Sequence, residues 1–254
     1  MTKNYSDPTD HTRSHYEEYP FEFMTSSHEA DIKNLQPRPF LSFIDQFVDL
    51  ADKICEVGCG PGRATMYLDL LGLQVTAVDL SPKSVQLAKR RAPNVSFILA
   101  NNLSLPFCDE EFDIVISDGV IHHTASPRCS FRENARILRK GGYMYLCVYN
   151  SRGYYPFIYN FIGPPIRLVA KTSYGRFFID KTLLVVYHFI HLLKSPHPVT
   201  WRGSRSFFYD YIITPTAHFL SKSLVLGWAA AEGLVVIDYF SKIGNSHAFI
   251  LKKR

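Results

Sequence analysis

The spacing of hydrophobic and polar positions changes several times along the chain, and the changes mark out its elements. Between residues 54 and 149, short apolar runs alternate with stretches that repeat every three to four residues. The runs at 54–57, 75–78, 95–99, 112–117 and 143–149 read as strands. The run F-D-I-V-I-S at 112–117 has the character of a strand buried on both faces. Residues 63–71 read as a helix, and Ser81-Pro82 opens another that runs to about Arg91. Ser126-Pro127 opens a third, which Lys140-Gly141-Gly142 is expected to end. Ser caps the free amides of a first turn, Pro fits its first position, and Gly fits the turn beyond its last. Five strands separated by helices or crossover loops imply a parallel sheet covered on both sides.

The flanks differ. Residues 1–20 are polar, but Tyr16, Tyr19, Phe21 and Phe23 make the end of this arm aromatic. Such an arm either folds over a ligand or packs on the core. Pro39 starts a helical pattern with Phe40, Phe43, Ile44, Phe47 and Val48 on one side. At Asn150 the β-α alternation stops. Residues 150–218 are rich in Tyr, Phe, Pro and basic residues and read as a mostly helical insertion. A helix capped by Ser221 follows and stops at Gly233; 234–240 and 247–252 then read as strands joined by a turn at Gly244-Asn245. The chain therefore divides into an arm or cap at 1–38 and one domain at 39–254, with a lid-like insertion at 150–218.

Charge adds one feature. The chain carries a formal +5, yet residues 151–205 hold eight Lys or Arg against one acid, Asp180, a net +7. A local basic segment points to a local anionic contact rather than a nucleic-acid-binding body. The longest apolar run in the insertion, L-L-V-V-Y-H-F-I-H-L-L at 183–193, falls short of the ~20 residues a membrane span needs. It is apolar nearly all round, which favours burial, and it also offers a homodimer contact or a membrane-surface helix. The N-terminus, M-T-K-N-Y-S-D-P, has no apolar core of a secretory signal. Five cysteines (55, 59, 108, 129, 147) form no C-x-x-C pair, so free thiols in a reducing cytoplasm are expected, with no metal site.

The chemistry concentrates in K-I-C-E-V-G-C-G-P-G, residues 53–62, where a strand runs into glycines at 58, 60 and 62 ahead of a helix. Glycines there admit a ligand close to the backbone, with the free amides of the helix start facing it. The second strand ends in Asp79, placed to accept hydrogen bonds from ribose hydroxyls.

Four strings resemble the motifs of the class I S-adenosylmethionine-dependent methyltransferases: E-V-G-C-G-P-G at 56–62, A-V-D-L-S-P at 77–82, L-P-F-C-D-E-E-F-D-I-V-I-S at 105–117 and L-R-K-G-G-Y at 138–143. The resemblance covers roughly residues 54–149. It implies a Rossmann-like, doubly wound α/β fold with seven strands, the last antiparallel. It implies S-adenosyl-L-methionine as methyl donor and S-adenosyl-L-homocysteine as product. By the same resemblance Gly58, Gly60 and Gly62 approach the methionine part, with Cys59 between them, and Glu56 helps bind the amino group. Asp79 takes the ribose hydroxyls and Leu80 lies against adenine. The family's usual Asp after the third strand is here Asn101, which accepts through its side-chain oxygen or serves as a turn residue; Asn102, Leu103 and Asp118 complete the cofactor-facing set.

Methyl transfer needs positioning and, for a hydroxyl or amide acceptor, a base. S-D-G-V-I-H-H-T at 117–124 supplies Asp118, His122 and His123 as candidates at the carboxyl end of the sheet. The acceptor motif D/N-P-P-Y of nucleic-acid amino methylation is absent. Acceptor contacts are expected from Tyr16, Tyr19 and Phe21 of the arm, from His122 and His123, and from Asn150, Arg152, Tyr154, Tyr155, Tyr159 and Arg205. The expected acceptor is a small molecule with an apolar body and an anionic group. Two other readings stay open: a nucleic-acid or protein methyltransferase, and a cofactor-binding protein without transfer activity.

Overall fold

The computed structural model describes residues 8–19, 29–195, 199–243 and 245–254. Phe21 and Phe23 lie outside them. Seven strands form one sheet: β1 (Lys53–Val57), β2 (Gln74–Asp79), β3 (Ser96–Leu99), β4 (Phe112–Asp118), β5 (Leu138–Tyr149), β6 (Leu234–Ile243) and β7 (Ser246–Lys253). Their order is β3-β2-β1-β4-β5-β7-β6. The first five are parallel, and β7 runs antiparallel between β5 and β6.

Alternation along the strands decides what each side buries. Ile54, Ala77, Ile114, Ile116 and Tyr145 meet one apolar cluster, and Cys55, Val78, Val115, Met144 and Leu146 meet the other. Helices α3 (Arg38–Phe47), α4 (Arg63–Leu70) and α5 (Pro82–Arg91) cover the first side. Helix α6 (Pro127–Ile137) and the late helix at Lys222–Ala231 cover the second. On α3, Phe40, Phe43 and Ile44 point inward at helical spacing and are buried. Each such side chain contributes about 1.5–3 kcal/mol of transfer free energy.

One boundary differs from the sequence reading. Helix α6 stops at Ile137, before Lys140-Gly141-Gly142, and β5 begins at Leu138. Pairing with β4 jumps from Phe112↔Leu138 to Ile114↔Tyr143, so the glycines form a bulge inside a strand. A Cβ on Gly142 would stand 2.5 Å from the Asp113 carbonyl oxygen, which excludes any larger residue.

Before the sheet, α1 (Pro8–Glu18) and α2 (Glu29–Asn34) lead into α3. After β5 the insertion runs through α7 (Tyr155–Phe157), a π-helical turn at Ile158–Ile162, α8 (Gly163–Val169), α9 (Ser173–Lys181), α10 (Leu183–Lys194), α11 (Trp201–Phe208) and a second π-helical turn at Tyr209–Ile213. The chain re-enters the sheet layer through α12 (Lys222–Ala231). A separate apolar cluster of Ala170, Ile179, Leu184, Phe208, Tyr209 and Ile212 holds the insertion together, and Tyr19 beside α1 packs against it. Among the described residues, no helix is long and apolar enough to cross a membrane.

Candidate functional site

Strand order reverses between β1 and β4, where an open parallel sheet has a crevice at its carboxyl end. A cavity of about 970 Å³ opens there. The β1–α4 loop forms its floor. Gly58, Gly60 and Gly62 have φ of 76°, 53° and 93°, a left-handed backbone that favours glycine. A Cβ on Gly58 would stand 2.4 Å from the Val120 methyl groups. Four of the loop's own amides are spent internally. Gly58 and Cys59 donate to the Val78 carbonyl at 2.7 and 2.9 Å, Gly62 to the Cys59 carbonyl at 3.0 Å. Gly60 donates to Asp79 Oδ2 at 2.8 Å. The loop therefore offers a close apolar approach rather than a cradle for phosphate.

Asp79 ends β2 at the cavity wall. Its Oδ1 accepts from the Ser81 amide at 2.8 Å, which leaves further lone pairs on both oxygens for hydroxyl donors. Leu80 lies beside it on the wall. Asn101 Oδ1 accepts from the Leu103 amide at 3.0 Å, closing a turn with one of its two lone pairs. Asn102 is buried on the same wall, and neither its Oδ1 nor its Nδ2 has a partner among the described residues.

Glu56 and Asp118 stand deeper. The Thr65 hydroxyl donates to Glu56 Oε2 at 2.6 Å. Burial raises the Glu56 carboxyl to about 8, against the Thr65 hydrogen bond and the nearby Arg63 charge, which lower it. Asp118 is committed to the Arg63 guanidinium, which also donates to Gln36 Oε1 at 2.9 Å.

The far end is built around an acid that the sequence did not single out, Asp210. It lies buried in the second π-helical turn. Tyr149, at the end of β5, donates to Oδ2 at 2.8 Å, and Tyr16 of α1 donates to Oδ1 at 3.0 Å. Burial first, then the Asp210 charge, push both phenols well up, so they stay protonated as donors. His123 Nε2 stands 3.8 Å from Asp210 Oδ1.

The two histidines sit on a 3₁₀ turn at Ile121–His123 and differ in tautomer. His123 Nδ1 is 2.8 Å from the Thr216 carbonyl oxygen. A carbonyl only accepts, so Nδ1 carries the hydrogen and a neutral ring keeps Nε2 bare. His122 is the reverse. The Tyr149 amide donates to its Nδ1 at 3.4 Å, so its hydrogen sits on Nε2, which has no partner among the described residues. Burial, then the neighbouring histidines, hold His122 well below the usual range, and it stays neutral. The cavity thus presents one imidazole acceptor and one imidazole donor side by side.

Comparison with known proteins fits this geometry. The methyltransferase domain family matches residues 55–146. The chain is 37% identical over 101 residues to phthiotriol/phenolphthiotriol dimycocerosates methyltransferase from Mycobacterium tuberculosis, covering 38% of this chain and 37% of that protein. It is 28% identical over 127 residues to demethylmenaquinone methyltransferase from Tropheryma whipplei, covering 49% and 50%. The chain spans about half the length of the curated relatives it matches, or less. The solved magnesium protoporphyrin IX methyltransferase from Synechocystis PCC 6803, with bound SAM, superposes over 100% of both chains at a TM-score of 0.59 and 12% identity. Residues 55–146 thus match a methyltransferase domain, and the fold around them is that of S-adenosylmethionine-dependent methyltransferases.

In this methyltransferase fold, the sequence-predicted residues Glu56, Gly58, Cys59, Gly60, Asp79, Leu80, Asn101, Asn102, Leu103 and Asp118 line the cavity. So do Tyr16, His122 and His123. Gly62 stands just outside, at the N-terminus of α4. The other acceptor candidates are absent from the wall, for reasons of packing. Tyr155 and Tyr159 are buried in the insertion, their hydroxyls donating to the Tyr211 and Thr214 carbonyls at 2.9 Å each. Arg205 pairs with Asp180 at 3.2 Å and lies over the Tyr19 and Tyr209 rings. Tyr19 itself packs on Tyr209, ring centres 4.3 Å apart. Asn150 caps the amide of Arg152 at 2.9 Å, and Arg152 and Tyr154 are exposed. The wall is completed by residues that sequence reasoning passed over: Thr12, Arg63, Tyr149, His191, Phe207, Asp210 and Tyr211.

Proposed function

We propose that this chain transfers a methyl group from S-adenosylmethionine to a small-molecule acceptor that presents an ionisable hydroxyl on an apolar body. The observation that carries the reading is the single cavity running from the glycine loop and Asp79 to His123 and Asp210. The fit of the donor rests on three features of the cavity lining: Gly58, where a Cβ would strike Val120; Asn102, buried with an amide unpartnered among the described residues; and Glu56, a buried carboxyl beside that loop. The relatives named for demethylmenaquinone and phthiotriol dimycocerosates support a small molecule over nucleic acid or protein.

Bound there, S-adenosylmethionine supplies an electrophilic methyl group. Glu56 would hold the amino group, Asp79 the ribose hydroxyls and Asn102 the adenine edge. His123 Nε2 is placed to accept the proton of an acceptor hydroxyl, whose oxygen would take the methyl group as the donor's S–CH3 bond breaks and S-adenosylhomocysteine is left. Asp210, 3.8 Å away, faces the positive charge that develops on the ring. The Nε2–H of His122 orients the acceptor oxygen. Tyr149 and Tyr16 hold the Asp210 carboxylate in place, and α1 closes the side of the cavity against water through Thr12, which donates to the His123 carbonyl at 3.2 Å.

The anionic acceptor group expected from the sequence loses its support, because Arg152 and Arg205 are off the wall and Arg167 donates to the Tyr159 and Ile212 carbonyls. A labelled-methyl transfer assay over extract fractions, with mass spectrometry of the product, tests the reading. Label is expected in the small-molecule fraction. Label only in protein or RNA, or tight donor binding with no transfer to any fraction, overturns it.

A further inference from the structure

The insertion has two faces, and only one is accounted for by the cavity. Its inner face supplies His191 from α10, Gly203 and Phe207 from α11, and Asp210. Its outer face is apolar and bare. Among the described residues, sixteen of the twenty-three large hydrophobic side chains that are exposed lie between Tyr154 and Trp201. They are not scattered. On α9, Tyr174, Phe177 and Phe178 form one stripe, 88%, 64% and 60% exposed, while Gly175 and Ile179 turn inward. On α10, Val186, Phe189, Ile190 and Leu193 repeat the spacing on the side away from Leu184. Phe157 and Phe161 stack on each other at 5.0 Å and are equally bare. Stripes at i, i+3, i+4 and i+7 are the signature of a helix face that meets an apolar medium. A contiguous patch of this kind on a monomer marks an interaction site.

Cations stand within these same segments. Lys171, Lys181, Lys194 and Arg202 are exposed, and none forms an ion pair among the described residues. Lys181 lies against the Phe177 ring at 5.8 Å. Arg167 and Arg205 are spent inside the insertion, and Arg176 donates to the Ala170 carbonyl and pairs with Glu18 of α1. So the free positive charge of the +7 segment is on the outside, interleaved with Phe, Tyr and Leu.

We propose that this outer face of α9 and α10, with Phe157 and Phe161, is a docking surface for a membrane leaflet rich in anionic lipid. Aromatic and aliphatic side chains on one helix face enter the headgroup boundary, and Lys and Arg beside them meet lipid phosphates. Charge decides against a second copy of the chain as the occupant. A twofold contact through this face would bring two sets of Lys171, Lys181, Lys194 and Arg202 together, and the one acid of the segment, Asp180, is already paired with Arg205. Apolarity decides against nucleic acid, whose backbone offers no partner for exposed Phe and Leu stripes. The inference goes beyond the proposed reaction and does not depend on it. Because α10 carries the stripe on one side and His191 on the cavity wall, it also places the cavity one helix diameter, about 10 Å, from the leaflet.

Sedimentation of the full chain with vesicles of phosphatidylglycerol and phosphatidylcholine, against phosphatidylcholine alone, tests it. Binding to the anionic vesicles is expected, weakening steeply as salt rises. Reversing Lys171, Lys194 and Arg202 to Glu is expected to lower partition more than about 100-fold. Phe178→Ser with Leu193→Ser is expected to lower it about tenfold or more while the far-ultraviolet spectrum is unchanged. Equal partition on neutral and anionic vesicles, or no partition at low salt, overturns the proposal. So does a dimer in light scattering that Phe178→Ser with Leu193→Ser dissociates, because the patch would then be covered in solution.

Discussion

Glu56 carries the most direct physical test of the cofactor reading. The unliganded cavity holds its carboxyl at about 8, so at pH 7 the group is about 90% protonated. An ammonium placed beside it requires the carboxylate. Binding at pH 7 should then release about 0.9 proton from this group. Forcing the ionisation costs about 2.7 kcal/mol at pH 6, about 1.4 at pH 7 and about 0.4 at pH 8. The dissociation constant for S-adenosylhomocysteine should therefore fall about 50-fold between pH 6 and pH 8. Titration calorimetry in buffers of different ionisation heat measures both quantities. Glu56→Gln should bind more weakly, release no proton and lose the pH slope; Asp79 is untouched in that variant, so the slope is assigned to Glu56. Equal heats in all buffers with a flat affinity profile would refute the argument. The unliganded protein should show the opposite trend. The folded carboxyl is raised above its unfolded value of 4.5, so its stabilising contribution is full below pH 4.5 and is lost as pH rises toward about 8. Relative to Glu56→Gln, the unliganded wild-type Tm should fall across that window.

The remaining expectations are simpler. Asp79→Ala removes both the ribose acceptor and the carboxylate that holds the Gly60 and Ser81 amides, and calorimetry should find cofactor affinity down more than about 100-fold; an unchanged affinity would refute the assignment. His123→Ala should lower kcat by about 10²–10⁴ and abolish its dependence on a basic group, whereas His122→Ala should act chiefly on KM for the acceptor. Equal, near-wild-type rates would remove both. Asp210→Asn replaces one of the two phenol acceptors with an NH2 and removes the charge from the other, and should destabilise by about 1–3 kcal/mol in urea unfolding, with kcat falling as well. His15 on α1 is pushed down to about 4, first by burial, so its contribution is present above pH 6.5 and lost as pH falls through about 4. His15→Gln should flatten the acid limb of the Tm profile over that range.

What was legible in the sequence is what local chemistry determines. The strands of the parallel core declare themselves because each is buried on both sides, and the glycine loop because left-handed backbone at three alternate positions selects glycine. The Gly141-Gly142 pair shows where local reading fails. Two glycines after a helix resemble a stop, yet here Gly141 takes a left-handed φ of 78° inside the bulge and Gly142 has no room for a Cβ beside the Asp113 carbonyl on a different strand. The glycine loop is likewise shaped from outside itself: the Val78 carbonyl and Asp79, on the neighbouring strand, accept the Gly58, Cys59 and Gly60 hydrogens.

Asp210 is the sharper case, because its importance is entirely non-local. Read along the chain it is one acid in F-F-Y-D-Y-I-I, with nothing to separate it from a solvated residue. Its partners come from three other elements: Tyr16 from α1, Tyr149 from the end of β5 and His123 from the turn after β4. Those elements are more than sixty positions away, so neither spacing nor composition points to it. The aromatic residues nearest β5 attracted attention instead, and the fold uses Tyr155 and Tyr159 to seal the insertion rather than to meet a ligand. An insertion of this kind must solve two problems with one set of helices. It must bury enough apolar surface to stand on the sheet, and it must keep a polar group aimed at the reacting atoms. The second is met by residues that the first makes invisible, since a buried acid is tolerated only where several donors converge on it. Acceptor chemistry in such a chain is therefore read from convergence on a buried charge, and here that convergence selects Asp210 and His123 over every basic residue of the insertion.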